Sequence, residues 1–540
     1  MADQLQQQQQ LKDPEMAEAE MQILRSKATE LLLREEWNDA VCTYTQFITI
    51  CRNQTPTTNF HLSKLQKSLC LALCNRAEAR SKLRIFEEAL RDCEEALKIE
   101  STHFKTLLCK GKILLNLNRY SSALECFKTA LFDPQVSGNS ENLNGYVEKC
   151  KKLEHLSKTG AFDLSDWVLN GFRGKSPGLA EFIGPIQIKR SGNSGRGLFA
   201  TKNVDSGTLL LVTKAIAIER GILPENCDEN AQLVMWKNFI DKVTDSATKS
   251  TKTKYLIGLL SSGEGEEDLE VPEMSVFKPE TKDQISPSEM SNILSVLDIN
   301  SLVEDANSAK VLGKNRDYYG VGLWVLPSFI NHSCIPNARR LHIGDHILVH
   351  ASRDVKAGEE ITFAYFDPLS SWKDRKRMSE TWGFNCNCKR CRFEEEISNK
   401  EEMKEIEMSM RGGIEMGAAI YKLEEGMRRW TVRGKEKGYL RASFWGAYFE
   451  LFSSDKAMKK WGRRIQGMEM VVDSVVDAVG SDERVVKMMV ERFKRNNNNN
   501  GGVMEMEKVL KLGRGVYGKV MKKQALRCLL ELGSSHEYGH

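Results

Sequence analysis

NHSCIPNA at Asn331–Ala338, GEEITFAYFD at Gly358–Asp367 and WGFNCNCKRC at Trp382–Cys391 decide how the middle of this chain folds. The last of them places Cys386, Cys388 and Cys391 within six residues. Neighbours this close strain the backbone if they cross-link, because a disulfide needs its Cα atoms about 5.5 Å apart in fixed geometry. A C-x-C-x-x-C run is better suited to bringing thiolates onto one soft metal ion, and structural zinc closes a tetrahedron of four ligands. The fourth ligand must then come from elsewhere, and Cys334 in the first stretch is the obvious candidate. Inert thiols are the competing reading of the same spacing.

Around these stretches, short β-branched runs alternate with glycine-rich turns. PIQIKR begins at Pro185, GRGLFAT at Gly195, GTLLLVT at Gly207 and HILVHASRDVKAGEEITFAYFD at His346. They read as short strands and hairpins. From about Glu394 the apolar spacing becomes helical, through AAIYKLEEGMRRW, SFWGAYFELF and VVDSVVDAVG. The polar stretch Asp241–Ser291 reads as a partly helical insertion with solvated loops.

The first 160 residues repeat instead. RIFEEALRDCEEALKIE from Arg84 and NRYSSALECFKTALFDP from Asn118 align at a period of 34, setting Ala89 over Ala123 and Ala96 over Ala130. Ala77 falls over Gly111 at the same spacing, and REEWNDAVCTYTQFITI from Arg34 puts Ala40 in the corresponding place. A 34-residue helix–turn–helix period with small residues at the helix crossings is the tetratricopeptide (TPR) signature; a generic amphipathic bundle is the alternative. Asn142–Lys158 reads as a capping helix. Eight cysteines from Cys42 to Cys150 fall in this region and are expected to behave mostly as small hydrophobes on helix faces.

At 540 residues the chain is too long for one ordinary domain. Its 78 Lys and Arg against 74 Asp and Glu leave a net charge of +4, too small for a protein whose main work is coating nucleic acid or an anionic membrane. No apolar run reaches the roughly 18 residues of a membrane span. The acidic N-terminus lacks the apolar core of a secretory signal. Fourteen cysteines spread over this length are no disulfide framework, so a reducing compartment, nucleus or cytoplasm, is expected. Gln6–Gln10 reads as part of a disordered tail and Asn496–Asn500 as a loop between C-terminal helices.

GRGLFAT, NHSCIPNA, GEEITFAYFD and CNCKRC, occurring in that order, closely resemble a SET domain with its post-SET zinc motif, the module of protein lysine methyltransferases. The wide gap after the first motif resembles the split SET of the SMYD-like group, and the N-terminal repeats are similar to its plant TPR-plus-SET members. The resemblance covers about residues 180–395. It implies S-adenosylmethionine as cofactor, with Asn331 and His332 hydrogen-bonded to it and the turn of Gly195, Arg196 and Gly197 near its methionine part. It also implies Phe384 against the adenine, Asn307 at a further cofactor position, and a structural zinc on Cys334, Cys386, Cys388 and Cys391. Tyr365 is implied as the catalytic residue, its hydroxyl lying where methyl, sulfur and target amine meet. Phe329 and Phe363 are candidate channel walls, or simply buried aromatics. The sequence departs from the group in two places. Residues 221–300 hold only Cys227 and no His, so the MYND zinc module is absent, and Ala364 replaces an acidic residue common before the tyrosine.

The expected fold class is multidomain α+β. A disordered tail (1–20) and a TPR helical array (21–160) precede a mostly-β split SET domain (178–370) with an insertion at about 221–300. A post-SET zinc motif (380–395) and a C-terminal α-helical domain (396–540) follow. The implied partner is a protein substrate bearing a target lysine, with further protein contacts through the TPR groove; a monomer without membrane or nucleic-acid partners is expected. The alternative is a chaperone adaptor whose SET fold is inactive. Clamp-type TPRs bind acidic Hsp70 or Hsp90 C-termini with five residues, of which Arg25, Asn75 and Lys105 are present while Thr29 and Cys109 depart. A thiol cannot replace the planar fork of arginine on a carboxylate, so clamp binding is not expected. The 26 Lys/Arg against 20 Asp/Glu after residue 400 read as solvated helix faces.

Overall fold

A computed structural model describes residues 14–54, 58–132, 140–173, 177–192, 195–223, 229–263, 269–280, 293–304, 318–398, 400–411, 415–496 and 502–533. The chain divides into two compact units, one holding the residues up to His155 together with Thr244–Tyr255 and a segment from Lys278, the other the remainder. Among the described residues no helix is long and apolar enough to cross a membrane.

In the first unit α1 (Pro14–Leu33) pairs with α2 (Trp37–Asn53), α3 (Asn59–Lys82) with α4 (Phe86–Ile99), and α5 (Phe104–Asn116) with α6 (Tyr120–Leu131). Each pair turns on one non-glycine residue in the left-handed region: Glu35 at φ 61°, Arg84 at 63° and Asn118 at 59°. An aromatic residue two positions on, Trp37, Phe86 or Tyr120, opens the second helix. The small residues expected at the crossings have no exposed surface, as at Ala40, Ala77, Ala89, Ala96, Ala123 and Ala130. A Cβ on Gly111 would lie 2.6 Å from Phe127 Cε1, so the ring fills the space that the missing side chain leaves. Phe127 stacks on Tyr146 of α7 (Ser140–Thr159) at 4.9 Å, and Leu143, Val147 and Cys150 extend the same apolar cluster.

Part of the insertion belongs to this helical unit, which the sequence did not reveal. Glu87 on α4 accepts hydrogen bonds from Ser250 Oγ at 2.8 Å, the Thr251 hydroxyl, and the Thr251 and Lys252 amides, the latter two at 3.3 Å. A helix starting at Thr251 leaves its first N–H groups without intrahelical partners, and a carboxylate there satisfies them and suits the positive end of the dipole.

The second unit is built on three small sheets, with strand orders β1-β4-β10-β9, β2-β3-β11-β8 and β5-β7-β6. The strands are β1 Phe182–Ile183, β2 Ile186–Arg190, β3 Arg196–Ala200, β4 Leu209–Lys214, β5 Ala217–Ile222, β6 Leu302–Val303, β7 Tyr318–Leu323, β8 Asn331–His332, β9 Ala338–Ile343, β10 His346–Ala351 and β11 Glu360–Phe363. β4 is flanked on both edges and reads LLLV at its start, with Leu209 to Val212 all buried, as a central strand requires. β9 and β10 form a hairpin across Gly344 and Asp345, with Gly344 at φ 55°. The decisive pairing is parallel. β8 lies beside β11, with Asn331 opposite Thr362 and His332 opposite Phe363.

Helices from Lys389–Ser398 to Lys523–Gly533 complete this unit. One of them, Gly502–Tyr517, packs on β10 through His350, whose Nε2 lies 3.0 Å from Val516 O and whose exposure is 1%. Burial pulls the His350 pKa down to about 4. The unfolded chain, protonating near 6.5, therefore binds more protons than the folded one between those values. The contribution is full above about pH 6.5 and is lost progressively as pH falls toward 4, up to about 3 kcal/mol for this residue. Thermal melts at pH 7 and pH 5 should show a smaller acid-induced drop for His350→Gln than for the parent chain. An equal drop in both would assign the acid sensitivity to other groups.

Candidate active site and metal centre

The parallel β8–β11 pair fixes the site. Alternation along β11 sends Ile361 and Phe363 into the core, and the strand then delivers Tyr365 beside His332. The Tyr365 backbone N–H donates to His332 Nδ1 at 3.0 Å, which sets the ring proton on Nε2. That Nε2 lies 3.3 Å from Cys334 Sγ, so the imidazole bridges the tyrosine segment and the cysteines. Both ring nitrogens of His332 are thus engaged within the chain, leaving its backbone for any cofactor contact. Asn331 Nδ2 is engaged as well, donating to Arg196 O at 3.0 Å and Glu360 Oε1 at 2.7 Å.

The Gly195–Gly197 turn lies against this pair. Gly195 sits at φ 65°, and its carbonyl accepts from Ser191 N–H at 2.8 Å. A Cβ on Gly197 would meet Glu360 Oε1 at 2.3 Å and Asn331 Nδ2 at 3.0 Å, so the chain's own side chains already crowd that glycine. The Arg196 side chain is buried, donating to Leu259 O at 2.8 Å, with its guanidinium 5.2 Å from the Phe329 ring. Phe329 is in turn edge-on to Phe277, and Phe363 carries Arg340 over its face, so both aromatics are packed in the core.

Tyr365 Oη donates to Ile330 O at 2.9 Å, and burial pushes the phenol up to about 12, so it stays neutral through the physiological range. Its ring is 5.3 Å from His332, 5.5 Å from Trp382 and 6.2 Å from Phe384. Phe366 closes the group at 4.3 Å from His332. Trp382 is 52% exposed, and Phe384 is half-buried, so this aromatic wall opens to solvent. Such a surface suits a purine ring and a sulfonium cation. Trp382, Phe366 and Glu360 were missed as site residues, although each lies inside a quoted motif. Asn307 lies outside the described residues.

Cys334, Cys386, Cys388 and Cys391 converge, their sulfurs all within 4.8 Å of one another. Cys334 Sγ lies 3.5 Å from Cys391 Sγ and 3.9 Å from Cys386 Sγ. Zinc–sulfur bonds of about 2.3 Å at tetrahedral angles put sulfurs about 3.8 Å apart, so the four thiols fit a zinc ion. Hydrogen bonds with Cys334 drive Cys388 below the ordinary thiol range and Cys391 above it. Behind them two buried guanidiniums, Arg375 and Arg390, share the single carboxylate of Glu394. That surplus positive charge complements the two negative charges of four thiolates around Zn²⁺. After dialysis against a weak chelator, elemental analysis should find one tightly held zinc per chain, and Cys388→Ser should lose most of it. Full retention in that variant would count against these ligands.

A cleft of about 1600 Å³ is lined by Asn337, Arg353, Glu360, Lys389, Tyr439 and Lys508 among others. Its walls thus come from the sheets, the cysteine segment and the C-terminal helices.

Residues 195–366 match the SET-domain family. A protein of Gibberella zeae named "Methyltransferase" is 27% identical over 59% of this chain and 46% of its own length. "Histone-lysine N-methyltransferase SMYD3" of Homo sapiens is 34% identical over 22% of this chain and 29% of its own length. "Histone-lysine N-methyltransferase ASHR2" of Arabidopsis thaliana is 32% identical over 24% of this chain and 34% of its own length. The chain therefore spans less than half the length of each of these relatives.

Proposed function

We propose that this chain, with its SET domain at residues 195–366, is a protein lysine methyltransferase that uses S-adenosylmethionine. The observation that carries the reading is Tyr365: a neutral phenol, oriented by Ile330 O, beside an aromatic wall that opens to solvent. When bound, S-adenosylmethionine supplies a methyl group on a sulfonium. The chain's residues must then present a neutral amine in line with it. Lysine with a pKa near 10.4 is about 0.1% neutral at pH 7.4, a shortfall of roughly 4 kcal/mol. Desolvation favours the neutral amine, and alignment supplies much of the remaining acceleration. Tyr365 acts in this scheme as an orienting hydrogen-bond group, since a phenol with so high a pKa is no base at neutral pH. Phe384 and Trp382 hold the cofactor's flat and cationic parts, and Cys334, Cys386, Cys388 and Cys391 hold a structural zinc that fixes the aromatic segment.

The cleft walled by the C-terminal helices receives the substrate protein; its lining mixes Arg353, Lys389 and Arg514 with Asp477 and with Lys508 and Asp473, which pair with each other at 2.8 Å. The TPR array adds a second contact to that protein. Incubating the purified chain with labelled S-adenosylmethionine and a cell extract tests the reading. Label should appear on protein lysines, and its complete absence across extracts would favour an inactive SET fold serving as an adaptor.

A further inference from the structure

We propose that the second helical repeat carries a metal site of its own, in which Cys70, Glu100 and His103 bind a zinc-type divalent cation. Cys70 stands on α3 and is 1% exposed, while Glu100 and His103 come from the short turn between α4 and α5. One ligand atom from each lies within 4.8 Å of the other two. Tetrahedral zinc with sulfur, nitrogen and oxygen ligands needs edges of about 3.3–3.8 Å, so any closure that the site requires is at most roughly 1.5 Å. Glu100 is an exposed side chain on a turn and can make that adjustment. A thiolate, an imidazole and a carboxylate form a three-ligand zinc set with a fourth position for water. The sulfur and nitrogen donors also select against magnesium and calcium.

Three features around the ligands favour a cation. His103 Nδ1 lies 2.7 Å from the hydroxyl of Thr106, a residue with no exposed surface. With the ring proton on Nδ1 donating to that oxygen, Nε2 is the ligand atom, the outer-partner arrangement that orients metal-binding histidines. The site also sits at the carbonyl end of α4, a 14-residue helix, where the dipole favours positive charge. There Ala96 O accepts from the Glu100 N–H at 3.0 Å and the Cys70 thiol at 3.5 Å. Finally, exposure rises from the buried thiol through the half-buried imidazole to the exposed carboxylate, leaving a solvent side for the ion and its water. On uptake the Cys70 S–H bond breaks, a sulfur–metal bond forms, and the proton passes to solvent. The ion would tie α3 to the turn that starts the third repeat. The proposed methyl transfer does not use it.

Cobalt(II) is the probe. The full chain is first loaded with one equivalent of zinc to fill the four-cysteine centre, then titrated with Co²⁺ while the thiolate-to-metal charge-transfer band is followed. The parent chain should bind one further ion; Cys70→Ser and His103→Ala should show no such band, and Glu100→Gln should bind at least tenfold more weakly. Circular dichroism on each variant establishes that the helices are intact. No further band in the parent chain, or equal bands in Cys70→Ser and His103→Ala, would overturn the site.

Discussion

Replacing Tyr365 with phenylalanine should lower methyl transfer by about 100-fold or more while cofactor affinity changes by no more than about threefold. The substitution keeps the ring, and with it the contacts to His332, Trp382 and Phe384. It also keeps the Tyr365 backbone N–H that fixes the His332 tautomer. Only the hydroxyl is lost, together with its hydrogen bond to Ile330 O. An interaction that matters mainly as the methyl group moves is spent on rate and hardly on binding. Calorimetry with S-adenosylmethionine and a transfer assay on the same preparation separate the two quantities. Turnover close to that of the parent chain would take the catalytic role away from Tyr365. Loss of both binding and turnover would point instead to a collapsed pocket.

Glu394→Ala should be the most destabilising single change near the cysteines, costing about 3–5 kcal/mol. Glu394 is 1% exposed and is the carboxylate shared by Arg375 and Arg390, which are 1% and 0% exposed. Arg390 also donates to Cys334 O at 3.1 Å and Pro368 O at 2.6 Å, so the network holds the backbone of Cys334 in the four-cysteine cluster. Ser443, from the helix Lys435–Ser443, donates to Glu394 at 2.7 Å and ties in the C-terminal region. Burial works against the Arg375 charge, and Glu394 with the neighbouring thiols overcomes it. Removing the carboxylate leaves two buried guanidiniums facing each other with no anion between them. Melting temperature and the rate of zinc loss to a chelator should both move strongly, and Glu394→Gln should move them less. A melt within about one degree of the parent would mean that water reaches the guanidiniums and replaces the carboxylate.

Much of this was legible from residue order alone. The repeat could be read because a 34-residue period with Ala and Gly at fixed places follows from local helix geometry and close backbone approach, and neither needs distant information. The cysteine run could be read because metal coordination restricts ligand type and spacing. Strands such as LLLV in β4 showed in the same way, through composition that only a strand covered on both sides tolerates. Tertiary structure alone decided the rest. The parallel β8–β11 pairing joins segments about 30 residues apart, and only it explains why His332 faces Tyr365 and Cys334 together. The crowding of Gly197 by Glu360 and Asn331, the exposure of Trp382 and the capture of Ser250–Lys252 by Glu87 are likewise contacts between distant residues. So are the sharing of Glu394 by two arginines and the meeting of Cys70 with Glu100 and His103. Local pattern records which face a residue must bury; which partner waits there is set by chain topology, and a sequence carries no direct mark of it.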